Sequence, residues 1–387
     1  MVLGAYMYQL TINSLTPQQF LSEYWQKKPL LIKQGFSDFQ DPIEPEELAG
    51  LAMEDSIESR IITNHADDWQ AYHGPFEDFS LLTEKNATLL VQAVDHWHAD
   101  AAQLLEPFRF IPNWRIDDLM ISYSTPGGGV GPHLDQYDVF IIQGLGKRHW
   151  RVGLPDANLK QFAQNKSLLQ VEQFPAVIDC VLEPGDILYI PPGCPHEGYA
   201  VENALNYSVG FRAPNQRDLL SQFADHLIDT ELGNTRYGDS KLTLRDSKGE
   251  LNNLEAEQIK QLMIAAIDDN TVFKTWLGNS LSQPKHDMDL APLEEPYTVD
   301  QVRELLTDET LVFERLGGTR AIYQIIDDKV LLSVNGINYL HEMSALADIK
   351  RLTDQSWVTA DDINSSKNNH DFLKTFTTLL NEGIWFC

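Results

Sequence analysis

The stretch running from Asp117 to Arg212 constrains the fold more than any other. It is a succession of short apolar segments, "LMISYS", "YDVFIIQG", "HWRVG", "DCVLEPGDILYIP", "HEGYAV" and "LNYSVGF", separated by glycine and proline turns. Segments of this length, rich in β-branched and aromatic residues and bounded by turn formers, predict strands. Many such strands in a row predict an all-β barrel or sandwich. On "KRHWRV" the residues alternate: Arg148, Trp150 and Val152 share one side, Lys147, His149 and Arg151 the other. The apolar pair marks the first side as inward.

The flanks read differently. "LTPQQFLSEYWQKK" places Thr16 and Pro17 at the N-cap and first turn of a helix, with Phe20, Leu21, Tyr24 and Trp25 at helical spacing, and "LLIK" then reads as a strand. "PEELAGLAME" predicts a helix, and "ATLLVQAVDHWHADAAQLLEPF" (87–108) a long one. After Arg212 three amphipathic segments, "NQRDLLSQFADHLIDTEL", "NLEAEQIKQLMIAAI" and "DNTVFKTWLGNSL", predict helices suited to packing or dimerisation. Residues 282–296, rich in proline and charge, read as a linker. Beyond them, helices bracket short hairpins around "GG", "DD" and "NG", the pattern of a winged helix. That last region carries 8 Lys or Arg against 14 Asp or Glu, so a structural or partner-docking role is expected rather than phosphate contacts. The expected domains are 1–212, a helical and dimerising 213–285, and 286–387.

Charge narrows the partners. With 29 basic and 57 acidic residues the formal net charge is −28, which opposes direct binding to a phosphate backbone and favours a basic partner. Cys180, Cys194 and Cys387 form neither a disulfide framework nor a zinc pattern, so a reducing compartment is expected. "MVLGAYMYQLTINSL" has no basic n-region, and no apolar run reaches the roughly 18 residues of a membrane span, so a cytoplasmic protein is expected.

The pattern His-x-Asp occurs three times, as His65-x-Asp67, His98-x-Asp100 and His133-x-Asp135, and at this composition one or two would arise by chance. Setting separates them. On a helix, positions two apart diverge by about 200°, so the pair at His98 is not expected to chelate. The pair at His65 lies in polar "TNHADDWQ" and reads as a solvated turn. On a strand, positions two apart share a face, so His133 and Asp135 can point together into a barrel.

Around that third pair the context accumulates. "PGGGVG" precedes it, and Gly127-x5-His133-x-Asp135 resembles the start of the first cupin motif. Gly185-x5-Pro191-x-Gly193-x2-His196 matches the second. Asp135 stands where the metal-storing or hydrolytic cupins have a second histidine, and Val139 or Phe140 where they have a glutamate. What remains is two imidazoles and one carboxylate, a set that holds Fe(II) on one side and leaves room for a bidentate cosubstrate and dioxygen. The far carboxylate of a 2-oxo acid needs a fixed cation inside the barrel, and Arg148 is the inward candidate.

With "FLSEYWQKKPLLI", "LMISYSTPGGGVGPHLDQYDVFIIQGLGKRHWRVG" and "PGDILYIPPGCPHEGYAVENALNYSVGFR", the chain resembles the JmjC-type 2-oxoglutarate oxygenases, and most closely their bacterial ribosomal-oxygenase branch. The resemblance implies a mainly β catalytic core, a double-stranded β-helix of cupin/JmjC type, with an α-helical middle region and a small α+β winged-helix C-terminal domain. It implies His133, Asp135 and His196 as metal ligands and catalytic centre, Arg148 as the 2-oxoglutarate anchor, and Ser122, Ser124, Asn206 and Ser208 as the polar wall around that cosubstrate. It also implies Fe(II) as cofactor, a homodimer, and hydroxylation at C3 of an arginine of the basic large-subunit ribosomal protein sixteen, with succinate and CO2 as coproducts. Asp117, Asp118, Tyr137 and Asp138 are the candidates to receive the substrate's guanidinium. The alternatives are a non-oxygenase, metal-dependent cupin (an isomerase or binding module) and an acidic scaffold with an inactive barrel.

Overall fold

The computed structural model describes residues 8–65, 68–165 and 168–387. By its internal contacts the chain divides into two compact units. The first comprises Met1–Ala213 with Pro284–Ala291 and Leu316–Thr319, and the second the remainder.

The first unit begins with α1 (Pro17–Glu23), whose Thr16 and Gln19 form a reciprocal capping box and whose Phe20 is buried. There follow β1 (Leu30–Ile32), α2 (Pro45–Leu51), β2 (Ser59–His65), β3 (Asp68–His73), β4 (Ala87–Val91) and the single turn α3 (Ala99–Ala102). The strand-rich stretch then supplies β5 (Ile116–Ser124), β6 (Val139–Gln143), β7 (Arg148–Gly153), β8 (Gln161–Asn165), β9 (Leu168–Val171), β10 (Ala176–Leu182), β11 (Ile187–Ile190), β12 (His196–Ala200) and β13 (Ala204–Phe211). Eight strands form one antiparallel sheet in the order β1-β11-β6-β13-β5-β4-β2-β3, and β10-β7-β12 form a second.

Period-two alternation decides what each face does. On β6, Phe140 and Ile142 join an aromatic core with Phe20, Phe36, Phe108, Tyr189 and Phe211, while Val139 and Ile141 join a cluster with Trp150, Val152 and Leu182 of the smaller sheet. On β5, Leu119 and Ile121 enter the aromatic core, which turns Asp118, Met120 and Ser122 to the other face. β13 pairs with β5 in the register Asn206↔Ser122 and Ser208↔Met120, so the two strands form one floor between the sheets.

Two expectations are corrected here. Residues 87–108 are not one long helix: β4 is a strand paired with β2 and β5, and only α3 and short 3-10 turns follow. β4 is buried along its whole length, with Leu89 and Val91 in the aromatic core and Leu90 on the opposite face. A strand covered on both faces shows no alternation, and its apolar run cannot be told from a helix by periodicity. His98 is the N-cap of α3, accepting at Nδ1 from the Ala101 amide at 3.2 Å. His65 ends β2, paired with Asp68 across a hairpin to β3, rather than sitting in a free turn. Asp67 lies outside the described residues.

The second unit contains α4 (Gln216–Asp229), α5 (Asn253–Asp268), α6 (Asn270–Ser282), α7 (Val299–Leu305), β14 (Val312–Arg315), β15 (Ala321–Ile326), β16 (Lys329–Val334), β17 (Ile337–Glu342), α8 (Leu346–Asp354), β18 (Trp357–Thr359), α9 (His370–Asn381) and β19 (Trp385–Phe386). Its core gathers Val302, Phe313, Leu332, Ile349, Phe372, Phe376 and Trp385 around two three-stranded sheets, β18-β14-β19 and β15-β16-β17. α6 lies against the latter, where Gln324 and Asn338 donate side-chain amides to the Lys274 and Thr275 carbonyls at 2.9 and 2.8 Å. Of residues 282–296, Pro284–Ala291 group with the first unit, and His96 donates from Nδ1 to the Asp287 carbonyl at 2.9 Å. Among the described residues no helix is long and apolar enough to cross a membrane.

Candidate metal centre and its cavity

The glycine-rich loop after β5 delivers His133 to the start of β12. His133 and His196 form an isolated antiparallel bridge, each amide donating to the other's carbonyl at 2.9 and 2.8 Å. The Gly193 amide donates to the Asp135 carbonyl at 2.7 Å, so the Pro-Pro-Gly turn also fixes the carboxylate's backbone. One ligand atom each from His133, Asp135 and His196 lies within 4.8 Å of the others.

The imidazoles are oriented from behind. His133 donates from Nδ1 to the Gly131 carbonyl at 2.9 Å, and His196 from Nδ1 to the Cys194 carbonyl at 3.0 Å. A carbonyl can only accept, so each ring holds a proton on Nδ1 and leaves Nε2 as the nitrogen available to ligate a metal. Burial, together with nearby His133, pushes the His196 pKa down to about 4, so it stays neutral at physiological pH.

Arg148 stands on the inward face of β7, as alternation predicts, and is 3% exposed. Its Nη1 donates to Asn206 Oδ1, Ser124 Oγ and Ser122 Oγ at 3.2, 3.3 and 3.4 Å, and its Nη2 to the Gly198 carbonyl at 3.0 Å. All of these partners are neutral. Among the described residues no carboxylate pairs with Arg148, and its buried Nε has no partner. Burial lowers its pKa from 12.5 to about 10, leaving it charged. Trp150 links anchor and ligands, with the guanidinium 5.1 Å from its ring and the His196 ring 6.2 Å away.

The ligands and Arg148 open on one cavity of about 340 Å³, also lined by Ser122, Asn206, Ser208, Asp117, Asp118 and Tyr137. The β5–β13 floor orders it: Ser122 and Asn206 lie at the Arg148 end and Asp118 beside Gly210 at the other, four residues or about 13 Å along the strand. Asp118 accepts at Oδ2 from Gln92 Nε2 at 2.6 Å and the Ala93 amide at 3.1 Å. Burial first, then Asp95 and Asp117, raises its pKa to about 6.

Four residue assignments are sharpened by these positions. Ser124 supports Arg148 without lining the cavity, whereas Ser208 lines it without bonding Arg148. Asp117 is already engaged by Arg212 and Lys285. Asp138 does not line the cavity: fully buried, it takes hydrogen bonds from Tyr189, Gln26 and Arg115 at 2.6, 3.0 and 3.1 Å. The reason is alternation, since Asp138 shares the face of Phe140 rather than that of Val139.

Comparison with known proteins gives a consistent picture. Residues 103–219 match a family model described as a JmjC domain, and 265–386 one described as a ROXA-like winged helix. Ribosomal protein uL16 3-hydroxylase of Escherichia coli (strain K12) is 48% identical over 380 residues, which cover 98% of this chain and 99% of that protein. This chain belongs to the JmjC-type ribosomal oxygenases. A probable ribosomal oxygenase of Haemophilus influenzae is 32% identical over 355 residues, covering 88% of this chain and 86% of that protein. Among solved structures, E. coli YcfD superposes with a TM-score of 0.91 at 47% identity, covering 98% and 99% of the two chains. The same ribosomal oxygenase in complex with cobalt and 2-oxoglutarate gives a TM-score of 0.88 at 47% identity with the same coverage.

Several cavity residues of this ribosomal oxygenase carried no sequence signal. Arg60 and Ile62 come from β2, Thr88 and Leu90 from the strand that reads as helix, and Lys285 and His286 from a segment that reads as linker. The Gly198 carbonyl and the Gln143 side chain, which takes a 2.9 Å hydrogen bond from Asn206, also act through tertiary placement alone.

Proposed function

We propose that this ribosomal oxygenase uses Fe(II), held by His133, Asp135 and His196, and 2-oxoglutarate, anchored on Arg148, to hydroxylate C3 of an arginine on ribosomal protein uL16. The observation that carries the reading is Arg148: a buried guanidinium with neutral partners beside two metal-ready imidazoles and a carboxylate. A buried cation without a counter-ion is costly, and a carboxylate of the cosubstrate would complete it. The donor set suits iron, since two nitrogens and one oxygen leave coordination positions open, where a structural zinc would take four protein ligands. When bound, iron and 2-oxoglutarate supply the oxidising chemistry: with dioxygen, one oxygen atom enters the C–H bond and the other the succinate, with release of CO2.

The chain's own residues do the positioning. Ser122, Ser124, Asn206 and Gly198 fix the Arg148 fork, and Trp150 packs between it and His196. At the far end of the floor Asp118 would accept a guanidinium, and Tyr137, Ser208 and Met120 line the same cavity. A net charge of −28 would draw a basic ribosomal protein toward the cavity. The non-oxygenase alternatives draw no support from the named relatives, which are a hydroxylase and oxygenases.

The remaining assignments belong to the same reading. α4 and α5 expose Leu220, Ile228, Leu254 and Met263, an apolar surface suited to homodimerisation, and no residue of α5 is buried. The winged helix serves in docking or structure, and the cytoplasm is the compartment where substrate and enzyme would meet. The test is to incubate the protein with uL16, Fe(II) and 2-oxoglutarate and examine the arginines by mass spectrometry. Gain of one oxygen on an arginine, dependent on 2-oxoglutarate and matched by succinate, is the expected result. Succinate without a modified arginine would reject the substrate, and absence of both would reject the function.

A further inference from the structure

The segment Pro284–Ala291 has no regular secondary structure, yet two of its side chains line the cavity that holds the metal ligands. Lys285 Nζ is paired with Asp117 Oδ2, and Asp117 Oδ1 takes a 3.0 Å contact from Arg212 Nε. His286 lies 3.9 Å from Asp118 Oδ2 and 3.6 Å from Glu58, with its ring edge-on to His96 at 6.1 Å. The protein therefore places its own basic side chains at the end of the cavity that a cationic substrate would use.

That changes the acceptors on offer. Both carboxylate oxygens of Asp117 are occupied from within, and Asp118 Oδ2 is held by Gln92 and the Ala93 amide. Asp118 Oδ1 faces Gly210, where an added Cβ would stand 3.4 Å from it, and takes no hydrogen bond among the described residues. A single open carboxylate oxygen suits a guanidinium, which is delocalised and weakly hydrated. It does not suit an ammonium, a compact and strongly hydrated charge that needs several acceptors to leave water.

We propose that Pro284–Ala291 is a selectivity strap, in which Lys285 neutralises Asp117 and thereby makes the cavity accept arginine and reject lysine. The inference rests on the function proposed above. Lys285 is a specificity residue acting through Asp117, and selectivity here comes from withholding an acceptor from the wrong cation. Its side chain is 53% exposed, so removing it leaves the core intact.

The experiment uses the full chain with Fe(II), 2-oxoglutarate and two uL16-derived peptides identical except for lysine in place of the target arginine. Binding of each peptide is also measured by calorimetry with Mn(II) and 2-oxoglutarate in the absence of oxygen. For Lys285→Ala, the arginine-over-lysine ratio should fall at least tenfold in both turnover and affinity, with the 2-oxoglutarate KM unchanged, and Lys285→Arg should restore it. A purely structural role would lower both peptides together and leave the ratio alone, which would overturn the proposal. If the unaltered protein oxidises neither peptide nor uL16, the functional reading itself fails, and the strap proposal with it.

Discussion

Replacing Arg148 by methionine separates cosubstrate binding from folding. The anchor would lose a two-pronged, charge-assisted pairing with the far carboxylate, worth about 3–5 kcal/mol, or a factor of roughly 10² to 10⁴ in affinity. Stability should respond quite differently. Burial lowers the guanidinium pKa from 12.5 to about 10. At about 1.4 kcal/mol for each tenfold change in proton affinity, that opposes folding by about 3 kcal/mol at neutral pH, and methionine relieves it. Against this, the Gly198 carbonyl and Asn206 Oδ1 lose their donor, at about 1–3 kcal/mol each, while the hydroxyls of Ser122 and Ser124 can turn to other partners. The terms nearly cancel, so Tm should move by less than about 6 °C. Calorimetry of 2-oxoglutarate binding with Mn(II), alongside thermal unfolding of the ligand-free protein, measures both sides. An affinity loss below about fivefold, or a collapse of Tm with the affinity intact, would refute the assignment.

Other perturbations follow from the same geometry. His133→Ala should abolish metal binding and succinate formation, whereas His98→Ala and His65→Ala should leave both intact, as metal titration would show. Because burial raises the Asp118 pKa to about 6, kcat/KM for the protein substrate should fall as pH drops through about 6, while 2-oxoglutarate affinity does not follow that profile. The same shift bears on folding: the folded protein holds this proton more tightly, so its contribution is present below pH 3.8 and lost as pH rises through about 6. Asp118→Asn should flatten that part of a stability–pH curve. Gly198→Ala would put a Cβ 2.7 Å from the Trp150 ring, so it should cost about 1–3 kcal/mol of stability and displace the anchor, read as a lower Tm and a raised KM for 2-oxoglutarate.

The legible parts of this protein were those in which local sequence and tertiary role agree. His133, Asp135 and His196 are legible because glycine and proline turns fix their frames on either side. Arg148 was found because strand alternation alone assigns it inward, and Asn206 and Ser208 share the inward face of β13 for the same reason. Asp138, a candidate for the substrate guanidinium in the sequence, lies one residue out of phase with Val139 and serves an interior ion-pair network instead. β4 was illegible because burial on both faces erases the period that distinguishes strand from helix. Lys285 and His286 were illegible for a different reason: their neighbours Asp117, Asp118 and Glu58 are more than 160 residues away, and nothing local specifies that meeting.

The bridge between His133 and His196 has a further consequence. Two backbone hydrogen bonds join parts of the chain that lie 63 residues apart. Stripping the metal should therefore silence the enzyme without unravelling it, in contrast to small zinc domains whose fold exists only around the ion. A protein of that kind would keep its shape without iron and regain activity when iron is returned.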